Sequence, residues 1–254
     1  MTSDATTTPA TIITGGSRGI GRAIAERLAG KGHALLLTYR TRATEAQELA
    51  SRLRDTGARV ELLQVDLADL DEAAQIVPTA IEQFGTVTGL VNNAGITGRI
   101  GGFLDVPLEE SELVFRVNVL APLVITQQAI RHMSTELGGR GGSIVNISSG
   151  AATSGSPNRY VPYSMSKAAL NVLTLGTAKE FARAGVRVNT VSPGTTRTEI
   201  HADAGRPNAP EERAASIPMG RAGEPHEIAG AVDYLLSDDS SYTTGTDIRI
   251  SGGN

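Results

Sequence analysis

Thr11-Ile12-Ile13-Thr14 runs straight into Gly15-Gly16-Ser17-Arg18-Gly19-Ile20-Gly21 near the start of the chain. The short apolar run predicts a strand, and the periodic apolar residues that follow, such as Ile24 and Leu28, predict a helix to about Gly30. Glycines let the backbone approach a ligand closely, and a helix N-terminus offers unpaired N–H groups and a positive dipole. A strand, a glycine turn and a helix in this order are typical of a pyrophosphate-binding unit, although the spacing G-x-x-x-G-x-G is not the usual G-x-G-x-x-G.

Strand and helix patterns alternate along the rest of the chain. Further strands are predicted over residues 34–38, 59–65, 87–91, 142–147, 186–191 and 247–250. Helices are predicted over residues 45–55, 69–84, 108–137, 162–184 and 225–236. Asp69 and Glu72 are predicted to form a capping box, and a break is predicted near Pro122. The alternation predicts an α/β fold with a parallel sheet covered on both faces, in one domain over residues 10–254.

The composition of the 254 residues fits one large globular domain. The net charge of −4 provides no basic field for nucleic acid or an anionic membrane, and the absence of cysteine excludes disulfides and thiolate chemistry. The four histidines lie far apart, so no metal site is expected. No apolar run approaches the ~18 residues of a membrane helix, and residues 1–9 match no targeting signal. We therefore expect a cytoplasmic protein with a disordered tail over residues 1–9.

Four polar or glycine-rich motifs follow directly after predicted strands. They are the glycine turn, Asn92-Asn93-Ala94-Gly95, Ser148-Ser149 and Ser192-Pro193-Gly194. The carboxyl ends of parallel strands meet at one edge of an open α/β sheet, which is where ligands bind. Each motif alone would be an ordinary loop, but together they predict one ligand-binding crevice.

A phenol and an ammonium lie four residues apart in Tyr163-Ser164-Met165-Ser166-Lys167. That spacing places both side chains on one face of a helix, which Pro162 can begin. A free phenol titrates near pH ~10, and a nearby cation favours the phenolate and lowers that pKa. The stretch therefore predicts either an acid–base catalyst with a lowered pKa or a surface pair of little consequence.

These motifs together resemble those of a classical short-chain dehydrogenase/reductase along nearly the whole chain. The matching residues are Thr14-Gly15-x-x-x-Gly19-x-Gly21, Asn92-Asn93-Ala94-Gly95, Asn118, Ser148-Ser149, Tyr163-x-x-x-Lys167 and Pro193-Gly194. The resemblance implies a Rossmann-like, doubly wound domain with a mostly parallel seven-stranded sheet. It also implies an NAD(P)-dependent oxidoreductase that interconverts an alcohol and a carbonyl by hydride transfer.

The resemblance also implies roles for single residues. Tyr163 would be the general acid–base, Lys167 would hold the nicotinamide ribose and lower the pKa of Tyr163, and Asn118 would support a proton-relay water. A serine would bind the substrate oxygen; Ser149 is preferred, although it lies one residue further from the tyrosine than usual, and Ser148 is the alternative. The implied cofactor-binding residues are Gly15, Ser17, Arg18, Gly19, Ile20, Gly21, Tyr39, Arg40, Asp66, Leu67, Asn93, Ala94, Gly95, Tyr163, Lys167, Pro193, Gly194 and Thr196.

The end of the second strand favours NADP over NAD. An NAD enzyme of this fold places an acid there, against the ribose 2′-OH, but the chain continues Thr38-Tyr39-Arg40-Thr41-Arg42 with no acid before Glu45. Arginine can hold a 2′-phosphate with paired, charge-assisted hydrogen bonds. We expect Arg40 and Arg18 to do so, whereas Arg42 alone would be a solvated residue at the loop edge. Use of both NADP and NAD is the alternative.

Three further expectations concern function and assembly. A non-catalytic, dinucleotide-binding regulatory module is the alternative to an enzyme, and the alcohol or carbonyl substrate is not specified. Residues 195–218 are predicted to form a mobile lid, with Ile200 and Met219 as apolar contacts. The resemblance implies a homotetramer built on the helices predicted over 108–137 and 162–184.

Overall fold

The computed structural model of the protein describes residues 8–254, which are organised around a seven-stranded parallel sheet. The strands are β1 (Ala10–Ile13), β2 (Ala34–Tyr39), β3 (Val60–Gln64), β4 (Gly89–Asn92), β5 (Gly142–Ile147), β6 (Val186–Pro193) and β7 (Asp247–Ile250). Their order across the sheet is β3-β2-β1-β4-β5-β6-β7. The order reverses between β1 and β4, and an open α/β sheet forms its ligand crevice at such a reversal. The predicted α/β, doubly wound fold is confirmed.

Helices cover both faces of the sheet. The α-helices are α1 (Gly19–Ala29), α2 (Ala43–Asp55), α3 (Leu70–Ala74), α4 (Ile76–Phe84), α5 (Leu108–Phe115), α6 (Ala121–Met133), α7 (Ala151–Ser154), α8 (Val161–Phe181), α9 (Ile200–Asp203), α10 (Ala209–Ala214) and α11 (Pro225–Leu236). A π-helical segment spans Arg116–Leu120, and 3-10 turns span Phe103–Asp105, Thr135–Leu137 and Asp238–Ser240.

The core lies in two layers because alternate residues of a strand face opposite sides of the sheet. Ile12 belongs to the layer beneath α4, α6 and α8, whereas Ile13 belongs to the layer beneath α1, α2 and α11. The same alternation separates Leu36 from Leu37 in β2. A parallel sheet covered on both faces requires such continuous apolar strands.

The predicted helix over 69–84 is divided into α3 and α4. Pro78 has no N–H to donate to the carbonyl four residues before it, which interrupts the helical bonding. The predicted capping box is only half present. Asp69 caps the first turn of α3, but the Glu72 carboxylate accepts a hydrogen bond from the Asp66 N–H at 2.8 Å instead of from Asp69.

The break predicted near Pro122 is the π-helical segment between α5 and α6. Pro122 has no N–H to donate to the carbonyl of Asn118, and the N–H of Ala121 reaches back five residues to the carbonyl of Arg116. Single π-helical turns within longer helices are frequent at functional sites.

The helical run Leu108–Met133 corrects the expectation that no segment is long and apolar enough to span a membrane. It has 26 residues, and an 18-residue window within it has a mean hydropathy of 1.5, so it meets that requirement by length and composition. Half of the apolar stretch is buried inside the protein, where Ile125 and Met133 pack in the core. Such packing is typical of a core helix in a globular domain.

The N-terminal end of the chain differs in part from the prediction. Residues 1–7 of the predicted tail lie outside the described residues, but the carbonyl of Pro9 accepts a hydrogen bond from the Ala34 N–H at 2.9 Å, so the sheet begins earlier than predicted.

Residues 195–218, which we call the lid, contain the short helices α9 and α10. Ile200 lines the central cleft, whereas Met219 is 64% exposed and packs near Gly252. The mobility of the lid stays a prediction.

A partly buried histidine should make the stability of the fold depend on pH. The Nε2 of His132 in α6 accepts a hydrogen bond from the Val87 N–H at 3.0 Å, and burial lowers the pKa of His132. The stabilisation is therefore present above the unfolded pKa of about 6.5 and is lost as the pH falls through the lower folded value. We expect the free energy of unfolding to fall between about pH 7 and pH 5.5.

His132→Leu should cost about 1–3 kcal/mol at neutral pH, because the Val87 N–H loses its acceptor, and should reduce this pH dependence. Urea unfolding of both proteins at both pH values measures the effect. An unchanged pH dependence in the variant would contradict the role of His132.

Candidate active site

The carboxyl ends of β1, β4, β5 and β6 open into a cleft of about 850 Å³. All four predicted strand-end motifs contribute to its walls, and the lid contributes residues on the solvent side. The cleft runs from Arg40, after β2, to Arg249, in β7. The predicted convergence of these motifs is therefore a feature of the structure.

Hydrogen bonds between β1 and β4 hold the glycine turn in place. The Thr14 hydroxyl accepts from the N–H groups of Asn93 and Ala94, at 3.0 and 3.1 Å. The Asn93 amide donates to the carbonyls of Thr14 and Gly15, at 2.9 and 3.1 Å. A Cβ at Gly21 would lie 2.3 Å from the Gly15 oxygen, so only glycine fits beneath this turn.

Helix α1 begins at the cleft without a side-chain cap. Arg18 is the N-cap residue but makes no capping hydrogen bond, and the first turn of α1 has no acidic residue. Gly19, whose φ of +50° favours glycine, and Ile20 both line the cleft. The N–H groups of this turn are therefore available to a negatively charged ligand.

Ser149 and Tyr163 lie together in the wall of the cleft, close enough for the Ser149 hydroxyl to act against the rise in the pKa of Tyr163. The Ser149 hydroxyl also accepts from the Ala151 N–H at 3.1 Å, which leaves its own proton for the phenol. Ser148 is buried, and its hydroxyl donates to the carbonyl of Lys167 at 3.0 Å. The geometry thus favours Ser149 for contact with a substrate and assigns Ser148 to the attachment of α8.

Burial controls the titration of both Tyr163 and Lys167. It raises the pKa of Tyr163 to about 12, against the lowering effect of the Ser149 hydrogen bond, and it lowers the pKa of Lys167 to about 8. The Lys167 ammonium donates to the carbonyl of Ile147 at 2.8 Å and lies 5.7 Å from the centre of the Tyr163 ring. Lys167 therefore does not lower the pKa of Tyr163 as predicted. Burial of the phenol has the larger effect, and the Lys167 ammonium is directed at the carbonyl of Ile147.

Asn118 lies behind the cleft wall and is fully buried. Its Oδ1 accepts from the Ile96 N–H at 2.9 Å, and its Nδ2 donates to the Ile96 carbonyl at 2.8 Å and to the Ser166 hydroxyl at 3.0 Å. The amide therefore fastens the loop after β4 to the π-helical segment and to α8.

Known proteins match the chain over nearly its whole length. Residues 15–254 match a family model described as enoyl-(acyl carrier protein) reductase. The chain is 40% identical over 243 residues to the uncharacterized oxidoreductase YgfF of Escherichia coli (strain K12), which covers 95% of this chain and 98% of that protein. It is 32% identical over 242 residues to glucose 1-dehydrogenase 2 of Bacillus subtilis (strain 168), with coverages of 95% and 93%.

A solved structure also matches. A short-chain dehydrogenase from Burkholderia cenocepacia J2315 in complex with NADP aligns with a TM-score of 0.89 and 33% identity, over 96% of this chain and 97% of that chain. The chain belongs to the short-chain dehydrogenase/reductase family. This membership confirms the predicted enzyme class, an NAD(P)-dependent oxidoreductase.

Most of the predicted cofactor-binding residues line the cleft of this short-chain dehydrogenase/reductase. They are Gly15, Ser17, Arg18, Gly19, Ile20, Tyr39, Arg40, Asp66, Leu67, Asn93, Ala94, Gly95, Tyr163, Lys167, Pro193, Gly194 and Thr196. Gly21 lies beneath the turn instead. A Cβ at Gly95 would come within 3.2 Å of the Lys167 Nζ, so the bare backbone keeps space beside the ammonium. A glycine-walled groove with an uncapped helix and a buried ammonium fits a dinucleotide.

Arginines gather at the end of the cleft beside β2. Arg18 Nη2 lies 2.5 Å and Arg42 Nη2 lies 3.4 Å from the carboxylate of Asp203, which is in α9 of the lid. The other terminal nitrogen of Arg18, Nη1, is buried and has no hydrogen-bond partner. Arg40 is exposed, and its guanidinium takes part in none of the hydrogen bonds or ion pairs found among residues 8–254. An acidic group already occupies part of the predicted phosphate site.

Sequence reasoning missed three residues at the other end of the cleft, namely Tyr160, Arg213 and Arg249. The ring of Tyr160 meets that of Tyr163 edge to face, with 5.4 Å between centroids. Tyr160 is the non-helical residue just before α8, so helical spacing does not predict this contact. The two arginines lie far from every motif in the sequence and carry no signal either.

The two serines after β5 should respond differently to substitution. Ser149→Ala removes the hydroxyl that bonds the phenol, and we expect a loss of roughly 100-fold or more in kcat with little change in stability. Ser148→Ala removes a buried bond to the helix backbone, and we expect it to cost about 1–3 kcal/mol of unfolding free energy, with a smaller loss of kcat. Steady-state kinetics and urea unfolding of both variants separate the roles. The opposite pattern would make Ser148 the functional serine.

Proposed function

We propose that this protein interconverts an alcohol and a carbonyl by hydride transfer with NADP(H), and that Tyr163 is the general acid–base. The proximity of Ser149, Tyr163 and Lys167, in the same cleft as the glycine turn, is the observation that carries the proposal. A panel of carbonyl compounds mixed with the protein and NADPH, followed by absorbance near 340 nm, is the first test. No decay of absorbance with any carbonyl, and no growth with NADP⁺ and alcohols, would contradict it.

The bound nicotinamide supplies the hydride or accepts it. In reduction, negative charge grows on the substrate oxygen. Ser149 donates a hydrogen bond to that oxygen, and Tyr163 gives it a proton. Because burial raises the pKa of Tyr163 to about 12, the phenol holds its proton at neutral pH until the substrate oxygen becomes more basic. In oxidation, the same oxygen of Tyr163 accepts the proton.

Two further groups would support this proton transfer. Lys167 uses one N–H on the carbonyl of Ile147, which leaves two donors for the ribose hydroxyls and a water. The amide of Asn118 is committed to Ile96 and Ser166, so we assign the relay water to the main-chain carbonyl of Asn118. Pro122 has no N–H to donate to that carbonyl.

A non-catalytic binding module would gain nothing from this arrangement. Burying Lys167 disfavours its charged form, as its lowered pKa indicates, and a lysine that served only to attach α8 could be replaced by a neutral residue. A buried ammonium beside a buried phenol is therefore better explained by catalysis than by dinucleotide binding alone.

Tyr163→Phe removes the proton donor and keeps the ring. We expect turnover to fall at least ~100-fold, in line with general acid–base contributions, with NADPH binding largely retained. Kinetics together with fluorescence titration of NADPH measures both quantities. Lys167→Ala should weaken both NADPH binding and turnover, because Lys167 is proposed to serve both. Near-normal turnover in Tyr163→Phe would remove this residue from the mechanism.

The choice of NADP rests on the arginines beside β2. Arg40 is unpaired, and Arg18 has a buried nitrogen without a partner, so both can bond a 2′-phosphate. Asp203 competes for Arg18, but both side chains of that ion pair are more than one-third exposed, and such pairs are worth at most about 1 kcal/mol. A 2′-phosphate can therefore displace Asp203.

We expect a preference for NADPH over NADH of at least ~10-fold in kcat/KM, about 1.4 kcal/mol, and its near loss in Arg40→Ala. Asp203→Asn should raise kcat/KM for NADPH by about two- to fivefold, because the competing charge is gone. Asp239→Asn, in the 3-10 turn Asp238–Ser240, is the control with the same change of charge. A preference for NADH in the unmodified protein would show that Arg40 and Arg18 do not select NADPH.

We also propose a homotetramer. Large apolar side chains are exposed on the helices predicted to form its interfaces: Leu108, Leu113 and Leu120 before α6, and Met165, Val172 and Leu175 on α8. Val172 is 72% exposed, which is unusual for valine in the middle of a long helix.

Sedimentation at micromolar concentration should show four chains of 26.4 kDa each. Val172→Glu should shift the species to a smaller assembly, since an unpaired charge is costly in an apolar interface. A monomer of the unmodified protein at that concentration would end this proposal.

A further inference from the structure

The arginines of the lid differ in their partners. Arg197 and Arg206 each form an ion pair with a glutamate, at 2.8 and 2.5 Å. Arg213, in α10, takes part in none of the ion pairs found among residues 8–254. The two glutamates of α10, Glu211 and Glu212, are bound to the other two arginines. The lid therefore holds one guanidinium whose charge is not neutralised locally.

Arg213 contacts Tyr160, whose ring packs against the ring of Tyr163, the proposed acid–base. Its Nη1 donates to the Tyr160 hydroxyl at 3.2 Å, and its Cζ lies 6.0 Å from the centre of that ring. Tyr160 in turn meets Tyr163 edge to face. A guanidinium has five N–H donors, so one bond to a phenol leaves most of its donors and its whole charge available to a ligand.

A second guanidinium reaches the same catalytic pair from β7. Arg249 Nη2 lies 3.4 Å from the carbonyl of Gly150, the residue after Ser149. Arg249 is exposed, and no acidic partner is found for it among the described residues. Ser149 and Tyr163 are therefore flanked by Arg249 on one side and by Arg213, through Tyr160, on the other.

No carboxylate side chain of residues 8–254 lines this end of the cleft. The cleft wall has two acidic residues, Asp66 after β3 and Glu199 against Gly19. Both lie at the opposite end of the cleft, where the glycine turn is found. His201 also lines the cleft, but burial and the charge of Arg213 lower its pKa, so it is neutral at pH 7 and adds no charge. Among the described residues, no acidic side chain therefore offsets the positive charge beside the catalytic pair.

We propose that Arg213 and Arg249 bind a carboxylate of the substrate, and that the protein acts on a small hydroxy acid or oxo acid. This inference rests on the proposed function of the same cleft. Guanidinium matches a carboxylate with paired, charge-assisted hydrogen bonds, which strengthen as the cleft excludes water. The lid position of Arg213 also lets a bound carboxylate hold the lid over the reacting carbon, so that binding and closure support each other.

The test compares oxo acids with their methyl esters, which keep the ketone and lose the charge. The kcat/KM is measured with NADPH for a series of straight-chain oxo acids, for their methyl esters and for a neutral 3-oxoacyl thioester. The proteins are wild type, Arg213→Gln, Arg249→Gln, the double variant and Arg213→Lys. Arg206→Gln is the matched control, because Arg206 is a lid arginine that is bound to Glu212 and does not line the cleft.

We expect wild type to prefer at least one acid over its ester by about tenfold or more, the scale of a charged hydrogen bond. The ratio should fall towards one in the double variant, recover in part in Arg213→Lys relative to Arg213→Gln, and stay at the wild-type value in Arg206→Gln. Esters or the thioester used as well as the acids, or a preference that survives in the double variant, would overturn the inference and leave the oxidoreductase function intact. No Tyr163-dependent turnover of any compound would overturn both.

Discussion

The buried ammonium of Lys167, bonded to the carbonyl of Ile147, is the interaction on which the geometry of the site depends. It joins α8 to the last residue of β5. Ser148 adds a second bond between the same two elements, to the carbonyl of Lys167. These two bonds bring Tyr163, which lies one turn before Lys167 in α8, beside Ser149, which follows Ser148 in the chain. Burying the charged form of Lys167 costs free energy, and the same burial lowers the pKa of Lys167.

The two sides of the cleft differ in the kind of interaction that holds them. On the sheet side, buried side chains bond to backbone: Thr14 and Asn93 hold the glycine turn, and Asn118 holds the loop after β4. Losing one partner of such a buried bond leaves a polar group unsatisfied, at a cost of about 1–3 kcal/mol. On the solvent side, exposed ion pairs such as Arg18–Asp203 connect the lid to the walls, and each contributes at most about 1 kcal/mol. This difference in energy is the physical basis of the prediction that the lid is mobile.

Charge within the cleft contrasts with the charge of the whole chain. The net charge of −4 indicates a mildly acidic protein, yet six arginines line one cleft whose wall has only two acidic side chains among the described residues. They are Arg18, Arg40, Arg42, Arg159, Arg213 and Arg249. Electrostatic focusing in a cleft depends on such local distributions rather than on the total. Asp203 partly neutralises the cofactor end of the cleft, whereas the described residues provide no equivalent at the catalytic end. Composition alone cannot reveal this asymmetry.

The sequence by itself determined the fold class, the strands that carry the site and the pairing of Tyr163 with Lys167, because helical spacing and parallel strand ends place residues by local geometry. Pro122 also predicted one helix interruption, and Pro78 could have predicted the other. Only the tertiary structure decided the direction of the Tyr163 pKa, since desolvation depends on everything that packs around the phenol. It also decided which side chains meet a charge: Asp203 reaches Arg18, and no acidic group among residues 8–254 reaches Arg213. Such contacts join residues far apart in the chain, and no short sequence pattern encodes them.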